Sequence, residues 1–388
     1  MLAGKGSTVA STGEQQLLAV LAAELREYVA LRWSTYYPRR AGGAAPTITL
    51  TPRHFGFSMI FQADLAFIGD GQIERLMMKI RRQQRMGSFV RDELTDQTIA
   101  LSRAEYDEHL SAYKFFENRR GGLSVVRPLD FIQSHNAFVI EHATGEDLSK
   151  LVKADSPIAT AAIERCGHWW RLFHYELHRA QERAWSVDVI DGMMSARLQR
   201  LRTIGAPAET LEVLRQEISA ATRRVPPASV PVSLVHGDCK LRHVWATADR
   251  IQVLDFGNSK TGDSWIDPAA LVVELSLFSL WSARLDSAPK VADIRRLLLA
   301  YFEGPPPPAF ALYVIDGLLK KWHRRLRNWG ANSGLNRIHK SLKKAGLEKP
   351  LDRLYIDRWF TTQIRAWLAL AQGDAPEWLK SVTEKPCP

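Results

Sequence analysis

The sequence predicts an α+β protein of two lobes, a small β-rich N-terminal lobe followed by a larger and mainly helical C-terminal lobe. Residues 47–80 alternate between apolar and polar side chains in the manner of β-strands. After Thr144-Gly145 the apolar residues recur at helical spacing almost throughout, apart from an interruption at 231–267. At 388 residues the chain is long enough for two lobes. The predicted ranges are 1–45 for an N-terminal extension with one amphipathic helix, 46–141 for the small lobe and 142–388 for the large lobe.

Each element of the small lobe follows from a local pattern. Within residues 15–29, Leu21 and Leu25 repeat at helical spacing, which predicts an amphipathic helix. Residues 102–116 are predicted as a second helix, with Tyr106 and Leu110 on one face. Runs rich in β-branched and aromatic residues predict strands at 47–50, 55–67, 73–80, 127–129 and 137–140.

The interruption in the helical lobe carries the most informative motifs. His236-Gly237-Asp238 follows a predicted strand at 231–235, and Asp255-Phe256-Gly257 begins seventeen positions after Asp238. A predicted hairpin over 243–254 joins the two motifs, so we expect both aspartates at the same end of a small sheet. A catalytic-loop aspartate followed by a metal-binding aspartate is how kinases assemble phosphoryl transfer.

These motifs resemble the aminoglycoside phosphotransferase and choline kinase-like family of the protein kinase-like superfamily. That family carries His-Gly-Asp-x-x-x-x-Asn, then an aspartate that opens a short loop, then Gly-x-x-x-x-Asp. His236-Gly237-Asp238, Asp255 and the segment from Gly262 to Asp267 match this pattern. The resemblance spans roughly residues 50 to 300. It implies a bilobal kinase-like fold and an ATP-dependent phosphotransferase that uses an alcohol group as acceptor.

One position departs from the family pattern. Five residues after Asp238 the family places asparagine as a second metal ligand, and this chain has His243. Magnesium prefers oxygen ligands, whereas imidazole suits softer divalent ions such as manganese. His243 could ligate the metal, hydrogen-bond the loop, or mark a weakened activity.

The resemblance implies roles for the matched residues. Asp238 would accept or orient the acceptor hydroxyl, and Asp255 would hold the divalent metal with His243 as second ligand. His236 would shape the catalytic loop. Lys240 would contact the γ-phosphate or an anionic acceptor, with simple solvation as the alternative.

Kinase chemistry also requires a cation on the ATP phosphates, usually a strand lysine held by a helix glutamate. Lys79 lies between apolar neighbours, as a strand lysine should, although a solvated strand end would look the same. Glu105 is the predicted partner and Glu108 the alternative. Glu105 also follows Ser102 by three residues, so a helix-capping box would explain it equally well.

The remaining nucleotide contacts are predicted from short segments. Ser58, close to Gly56, would donate its hydroxyl to phosphate, although an ordinary turn explains this segment as well. Residues 138–145 resemble the family's hinge, where backbone groups of Glu141 and Ala143 would pair with adenine.

Charge constrains the acceptor. The net charge is +10, which attracts anions and repels polycations such as aminoglycosides. Residues 320–329 interleave lysines and arginines with two tryptophans, and Arg337, His339, Lys340, Lys343 and Lys344 follow. Such a basic C-terminal face suits an anionic sugar or peripheral contact with a membrane, and a nucleic acid partner is not expected. A solvated helix surface is the alternative explanation.

Two functions from different classes follow from the sequence. The first is an ATP-dependent kinase of a small-molecule or glycan acceptor, because the chain has no room for a protein kinase's activation segment after Asp255. The second is a nucleotide-binding pseudokinase with a regulatory or scaffolding role. Three scattered cysteines and the lack of a long apolar run predict a cytoplasmic protein.

Overall fold

The computed structural model describes residues 12–55, 58–69, 71–81, 96–225, 229–280, 290–327 and 348–374. The chain divides into two compact units. The first contains Met1–Arg119, Ser124–Thr144 and Gln252–Gly257, and the second contains Arg120–Leu123, Gly145–Ile251 and Asn258–Pro388. The predicted ranges 1–45, 46–141 and 142–388 remain predictions, because compact units do not by themselves define independently folding domains.

A five-stranded antiparallel sheet forms the centre of the first unit. The chain order is α1 (Thr12–Tyr36), β1 (Thr47–Phe55), β2 (Ser58–Ala66), β3 (Ile73–Arg81), α2 (Asp96–Glu117), β4 (Leu123–Val125), β5 (Pro128–Ile132) and β6 (Ala137–Glu141). The sheet order is β1-β2-β3-β6-β5. Along β2 buried residues alternate with partly exposed ones, as the sequence pattern predicts for a sheet with one covered face.

Helix α1 covers this sheet. Leu25, Val29, Trp33 and Tyr36 are buried in one core with sheet residues such as Phe61. The hydroxyl of Tyr36 donates to Asp130 Oδ2 at 3.0 Å, which fixes the C-terminal end of α1 to β5. The predicted helix at 15–29 is confirmed and is longer than its apolar pattern indicated.

The second unit is mainly helical. Its helices are α3 (Leu148–Lys153), α4 (Pro157–Leu172), α5 (Val187–Thr203), α6 (Ala208–Arg224), α7 (Ile266–Ser276), α8 (Val291–Phe302), α9 (Phe310–Arg327) and α10 (Glu348–Ala371). The strands that follow β6 along the chain are short: β7 (Glu146–Asp147), β8 (Gln181–Ala184), β9 (Ser229–Val235), β10 (Val244–Ala246), β11 (Ile251–Val253), most of which belongs to the first unit, and β12 (Lys260–Asp263). The predicted α+β class, with a β-rich small part and a mainly helical large part, is confirmed.

Strands β12, β9 and β8 form an antiparallel sheet in that order, and β9 leads directly into the His236-Gly237-Asp238 segment. Strands β10 and β11 flank a turn in which the Thr247 N–H donates to the Arg250 carbonyl at 2.9 Å. The strand and hairpin predicted here are therefore confirmed. Within the described residues, every helix is too short or too polar to cross a membrane.

Candidate active site

Lys79, Glu105 and Asp255 form an ion-paired group within the first unit. Lys79 lies in the central strand β3, paired with Ile60 of β2 and Phe138 of β6. Its Nζ donates to Glu105 Oε1 at 2.5 Å and to Asp255 Oδ1 at 2.6 Å. The two carboxylates are 26 and 176 positions away in sequence. The tertiary fold, and not local structure, therefore assembles the group.

Burial strengthens the electrostatics of this group. The side chain of Lys79 is 14% exposed and that of Glu105 is 1% exposed. Burial alone would lower the pKa of Lys79, but attraction to Glu105 and Asp255 outweighs it, and the pKa is raised above the usual lysine value. Lys79 therefore keeps its positive charge throughout the physiological pH range.

Glu105 is positioned by the middle of helix α2. The described helix already includes Asp96, so Ser102 lies inside it and is buried, and the capping box predicted at Ser102 is wrong. The residues from 96 to 101 contain neither proline nor glycine, so the helix continues towards the N-terminus past the predicted start. Lys79 contacts Glu105 and not the alternative, Glu108.

The Asp255-Phe256-Gly257 segment packs against α2. Asp255 has a φ of 75°, a left-handed conformation that aspartate tolerates better than most residues. The buried ring of Phe256 lies edge-on to His109, with 5.2 Å between ring centroids. A Cβ at Gly257 would lie 2.7 Å from Glu105 Oε2, so a larger residue there would require the Glu105 carboxylate to shift.

Asp267 braces the His236-Gly237-Asp238 loop in the second unit. Its Oδ2 accepts the backbone N–H of His236 at 2.7 Å, and its Oδ1 accepts that of Gly237 at 3.1 Å. Gly237 has a φ of 74°, and a Cβ there would lie 2.4 Å from the carbonyl oxygen of Asn258. The loop conformation therefore depends on both a glycine and a buried carboxylate.

A residue that the sequence analysis did not single out supports Asp267. The Nε2 of His174 lies 3.1 Å from Asp267 Oδ2, and its Nδ1 lies 3.0 Å from the hydroxyl of Tyr301. Helix α4 continues into a π-helical turn at Phe173–Leu177, which includes this fully buried ring. The Tyr175-Glu176-Leu177 sequence gives no signal for a π-turn, because that geometry depends on packing. The ring of His236, also buried, packs edge-on against Trp170 at 5.4 Å.

Asp238 and His243 are held by short contacts within the same loop. Lys240 Nζ donates to Asp238 Oδ2 at 2.5 Å. The Nδ1 of His243 lies 3.0 Å from the Asp238 carbonyl oxygen, which requires a proton on Nδ1. Its Nε2 lies 3.3 Å from Arg242 Nε, which can only donate. His243 thus hydrogen-bonds the loop, one of the alternatives left open above.

The predicted nucleotide segments lie at the edges of β2 and β6. Ser58 is the first residue of β2 and pairs with Phe55 and Arg81, while Gly56 lies outside the described residues. The Glu141 N–H donates to the Arg127 carbonyl at 2.9 Å, and His142 Nδ1 contacts the Ala143 carbonyl at 2.7 Å. The Glu141 N–H and the Ala143 carbonyl are therefore engaged in contacts within the protein.

A pocket of about 400 Å³ adjoins Asp238 within the second unit. It is lined by the loop at 237–240 and by helices α5, α7 and α9, and its volume suits a small molecule. Arg197 and Arg200 of α5 belong to the lining and were not singled out from the sequence. Their spacing of three residues, which places both on one helix face, was the available signal.

The structure thus groups the predicted site residues within each unit. Lys79, Glu105 and Asp255 lie together in the first unit. The second unit contains the loop residues His236, Asp238, Lys240 and His243, together with Asp267. Of the basic C-terminal segment, residues 328–347 lie outside the described residues, including Arg337, His339, Lys340, Lys343 and Lys344.

Comparison with protein families identifies one match. The family described as the phosphotransferase enzyme family matches residues 81–311, which is more than half of the 388-residue chain. No curated protein matches the chain in sequence.

Solved structures of several kinases resemble this chain distantly. A choline/ethanolamine kinase family protein from Mesorhizobium loti is 15% identical, with 87% of this chain and 99% of that chain covered at a TM-score of 0.45. An ADP-bound aminoglycoside phosphotransferase is 15% identical, with 85% and 98% covered at a TM-score of 0.42. An ethanolamine kinase from Plasmodium vivax is 12% identical, with 95% of both chains covered at a TM-score of 0.42. All three scores are below 0.5, so family membership rests on the sequence match.

Proposed function

The chain belongs to the phosphotransferase enzyme family, and we propose that it transfers the γ-phosphate of ATP to a hydroxyl of a small-molecule, sugar or glycolipid acceptor. The observation that supports this most directly is the buried group of Lys79, Glu105 and Asp255. A lysine held by a glutamate beside a further carboxylate suits the phosphates of ATP and the divalent cation that accompanies them.

Lys79 and the first unit would bind the nucleotide. Lys79, which stays protonated, would contact the ATP phosphates while Glu105 holds its ammonium group in position. The Ser58 hydroxyl would add a hydrogen bond to phosphate. Backbone groups of Glu141 and Ala143 would contact adenine.

The two candidate metal ligands, Asp255 and His243, differ in how well they suit Mg²⁺. The Asp255 carboxylate, 28% exposed, offers the hard oxygen that Mg²⁺ prefers. His243 offers only Nε2, which lies 3.3 Å from Arg242 Nε, so a metal would have to displace the arginine. A bound divalent cation would offset charge on the β- and γ-phosphates. We therefore assign Mg²⁺ to Asp255, and expect Mn²⁺ to be favoured if His243 is also a ligand.

Asp238 would act on the acceptor. Its carboxylate would orient the hydroxyl and accept the hydroxyl proton as that oxygen bonds to the γ-phosphorus. The bond from the γ-phosphorus to the β–γ bridging oxygen breaks, which leaves ADP and a phosphate ester. Lys240, now paired with Asp238, would turn to the transferring phosphate.

A small acceptor is favoured over a protein. Helix α7 begins at Ile266, shortly after Asp255, so no long activation segment separates the two as it does in protein kinases. The pocket of about 400 Å³ beside Asp238 is also in the range of small-molecule sites.

The test is acceptor-dependent ATP consumption by the purified protein and its Asp238→Asn variant. We expect the variant to lose about 100-fold or more in turnover, because general-base catalysis contributes at least that much. ATP binding, measured in parallel by calorimetry, should change less than about twofold, because Asp238 would contact the acceptor. Equal turnover in both proteins would refute the role of Asp238.

The contacts of His243 favour a second candidate, a nucleotide-binding pseudokinase. The Nδ1 of the ring hydrogen-bonds the Asp238 carbonyl oxygen, and Nε2 lies beside the guanidinium of Arg242. The His243→Asn variant, which restores the family's ligand, separates the two. Turnover gained by the variant from a wild type with none would support the pseudokinase, whereas turnover in both would exclude it.

A further inference from the structure

The pocket beside Asp238 carries an excess of positive charge. Asp238 and Asp316 are the carboxylates among the described lining residues. The lysines and arginines of the lining come from the catalytic loop, α5 and α9, and are Lys240, Arg197, Arg200, Lys320, Lys321, Arg324 and Arg327. Cations thus outnumber anions in a cavity that contains the proposed catalytic aspartate.

Ion pairs account for part of this charge. Arg197 Nε lies 2.9 Å from Asp316 Oδ1 and Lys240 Nζ lies 2.5 Å from Asp238 Oδ2, while Lys320 also pairs with Asp316 and Lys321 with Glu274. Arg200, Arg324 and Arg327 have no carboxylate partner among the residues that the structure describes. Within the part of the chain that the structure describes, these three guanidinium groups can therefore interact with water or with an anion.

The pKa of His323 responds to the positive charges around the pocket. This residue of α9 also lines the pocket, and its pKa is lowered by burial and then by the charges of Arg327, Arg200 and Arg197. The positive charges of two different helices therefore act on one imidazole. The arginines of α5 and those of α9 contribute to the same field.

Helix polarity does not explain this arrangement. Cations are favoured near helix C-termini, and Arg200 and Arg327 lie in the last turns of α5 and α9. Arg202 and Arg325 lie in the same last turns, yet neither lines the pocket. The shared cavity is thus a property of the lining arginines and not of every cation near these helix ends.

The rest of the lining is partly apolar. Ile266, Ala270 and Val273 of α7 contribute to it. A ligand with a carbon skeleton, a free hydroxyl and an anionic group would match the apolar residues of α7, the Asp238 carboxylate and the arginines, in that order. The planar guanidinium binds phosphate or carboxylate oxygens through paired hydrogen bonds.

We propose that the acceptor is a hydroxylated molecule that carries an oxyanion, such as a phosphate ester, bound by Arg200, Arg324 and Arg327 with a hydroxyl at Asp238. This inference rests on the proposed function, since it assigns Asp238 to the acceptor. Polycationic acceptors are disfavoured by the same charges.

Direct titration of inorganic phosphate tests the inference without requiring turnover. Calorimetry would compare the wild type with an Arg324→Glu/Arg327→Glu double variant and an Arg202→Glu/Arg325→Glu double variant. The second pair is the matched control, because it makes the same change of charge with two arginines, Arg202 of α5 and Arg325 of α9, that do not line the pocket. We expect the first pair to weaken phosphate binding about tenfold or more and the control to change it less than about twofold. Equal affinities in all three proteins would overturn the inference, and ATP turnover by the wild type would still leave the kinase assignment intact.

Vesicles containing phosphatidylglycerol distinguish a lipid headgroup from a free anion. If the wild type and the control pair bind the vesicles and only the Arg324→Glu/Arg327→Glu variant does not, the oxyanion belongs to a lipid headgroup. If the control pair loses vesicle binding to the same extent, the vesicles bind a general basic surface and not the pocket. A wild type that binds neither phosphate nor vesicles would overturn the proposal.

Discussion

His174 shows how one buried side chain can couple loop geometry to pH. Burial lowers the pKa of its imidazole, and this outweighs the opposing effect of Asp267, which lies 3.1 Å away. The unfolded chain therefore binds a proton at a higher pH than the folded chain does. Because the folded pKa is depressed, stability is fully present above the unfolded value of about 6.5 and falls as the pH drops below it.

We therefore predict that a His174→Gln variant loses less unfolding free energy than the wild type between about pH 7.5 and about pH 5.5. Each pH unit below the unfolded pKa costs at most about 1.4 kcal/mol for this one group. Urea unfolding of both proteins at the two pH values gives the change in unfolding free energy with pH for each protein. If the unfolding free energy changed equally with pH in both proteins, His174 would have the same pKa in the folded and unfolded chain, which would contradict the prediction.

Gly237 is the second residue on which the loop depends. An alanine there would combine a φ of 74° with a Cβ at 2.4 Å from the Asn258 carbonyl oxygen. We expect Gly237→Ala to lose about 2 kcal/mol or more of unfolding free energy and most turnover, because backbone strain and a steric clash add.

Gly192→Ala is the matched control for Gly237→Ala. Gly192 lies in α5, and a Cβ there would meet nothing within 4 Å. That change should be neutral or stabilising, by up to about 1 kcal/mol. Chemical denaturation of both variants measures the contrast, and a Gly237→Ala variant as stable as the wild type would contradict the strained-loop account.

At the scale of elements, helix α1 is part of the first unit's core. Val29 of this helix is fully buried with sheet residues, whereas Leu31, two positions on, is 76% exposed. The helix face that covers the sheet therefore contributes apolar burial to the unit that contains Lys79, Glu105 and Asp255.

We predict that Val29→Asp destabilises the protein by about 3 kcal/mol or more, because it buries a carboxylate without a partner. Leu31→Asp, the same change on the exposed face, should alter stability by less than about 0.5 kcal/mol. Thermal unfolding and ATP binding would be measured for both. Equal effects of the two changes would mean that α1 does not pack as described.

Across the whole molecule, local patterns predicted the elements and the loop motifs, because strand alternation, helical spacing and turn residues are local properties. Contacts that depend on tertiary packing were less accessible. The π-turn that contains His174 and the grouping of Arg200 with Arg327 each depend on packing between elements. The lysine and its glutamate could be predicted because the family pattern indicated which residue types to seek.

The central claim is our proposal that Asp238 and Asp255 both serve the transfer of one phosphoryl group. The most direct test is a double-mutant cycle on acceptor-dependent ATP turnover with Asp238→Asn, Asp255→Asn and the double variant. Residues that serve one chemical step lose their effects together, so each single change should cost nearly as much as both. We expect the double variant to lie within about tenfold of the slower single variant. Losses that multiply, or a single variant with wild-type turnover, would contradict the claim.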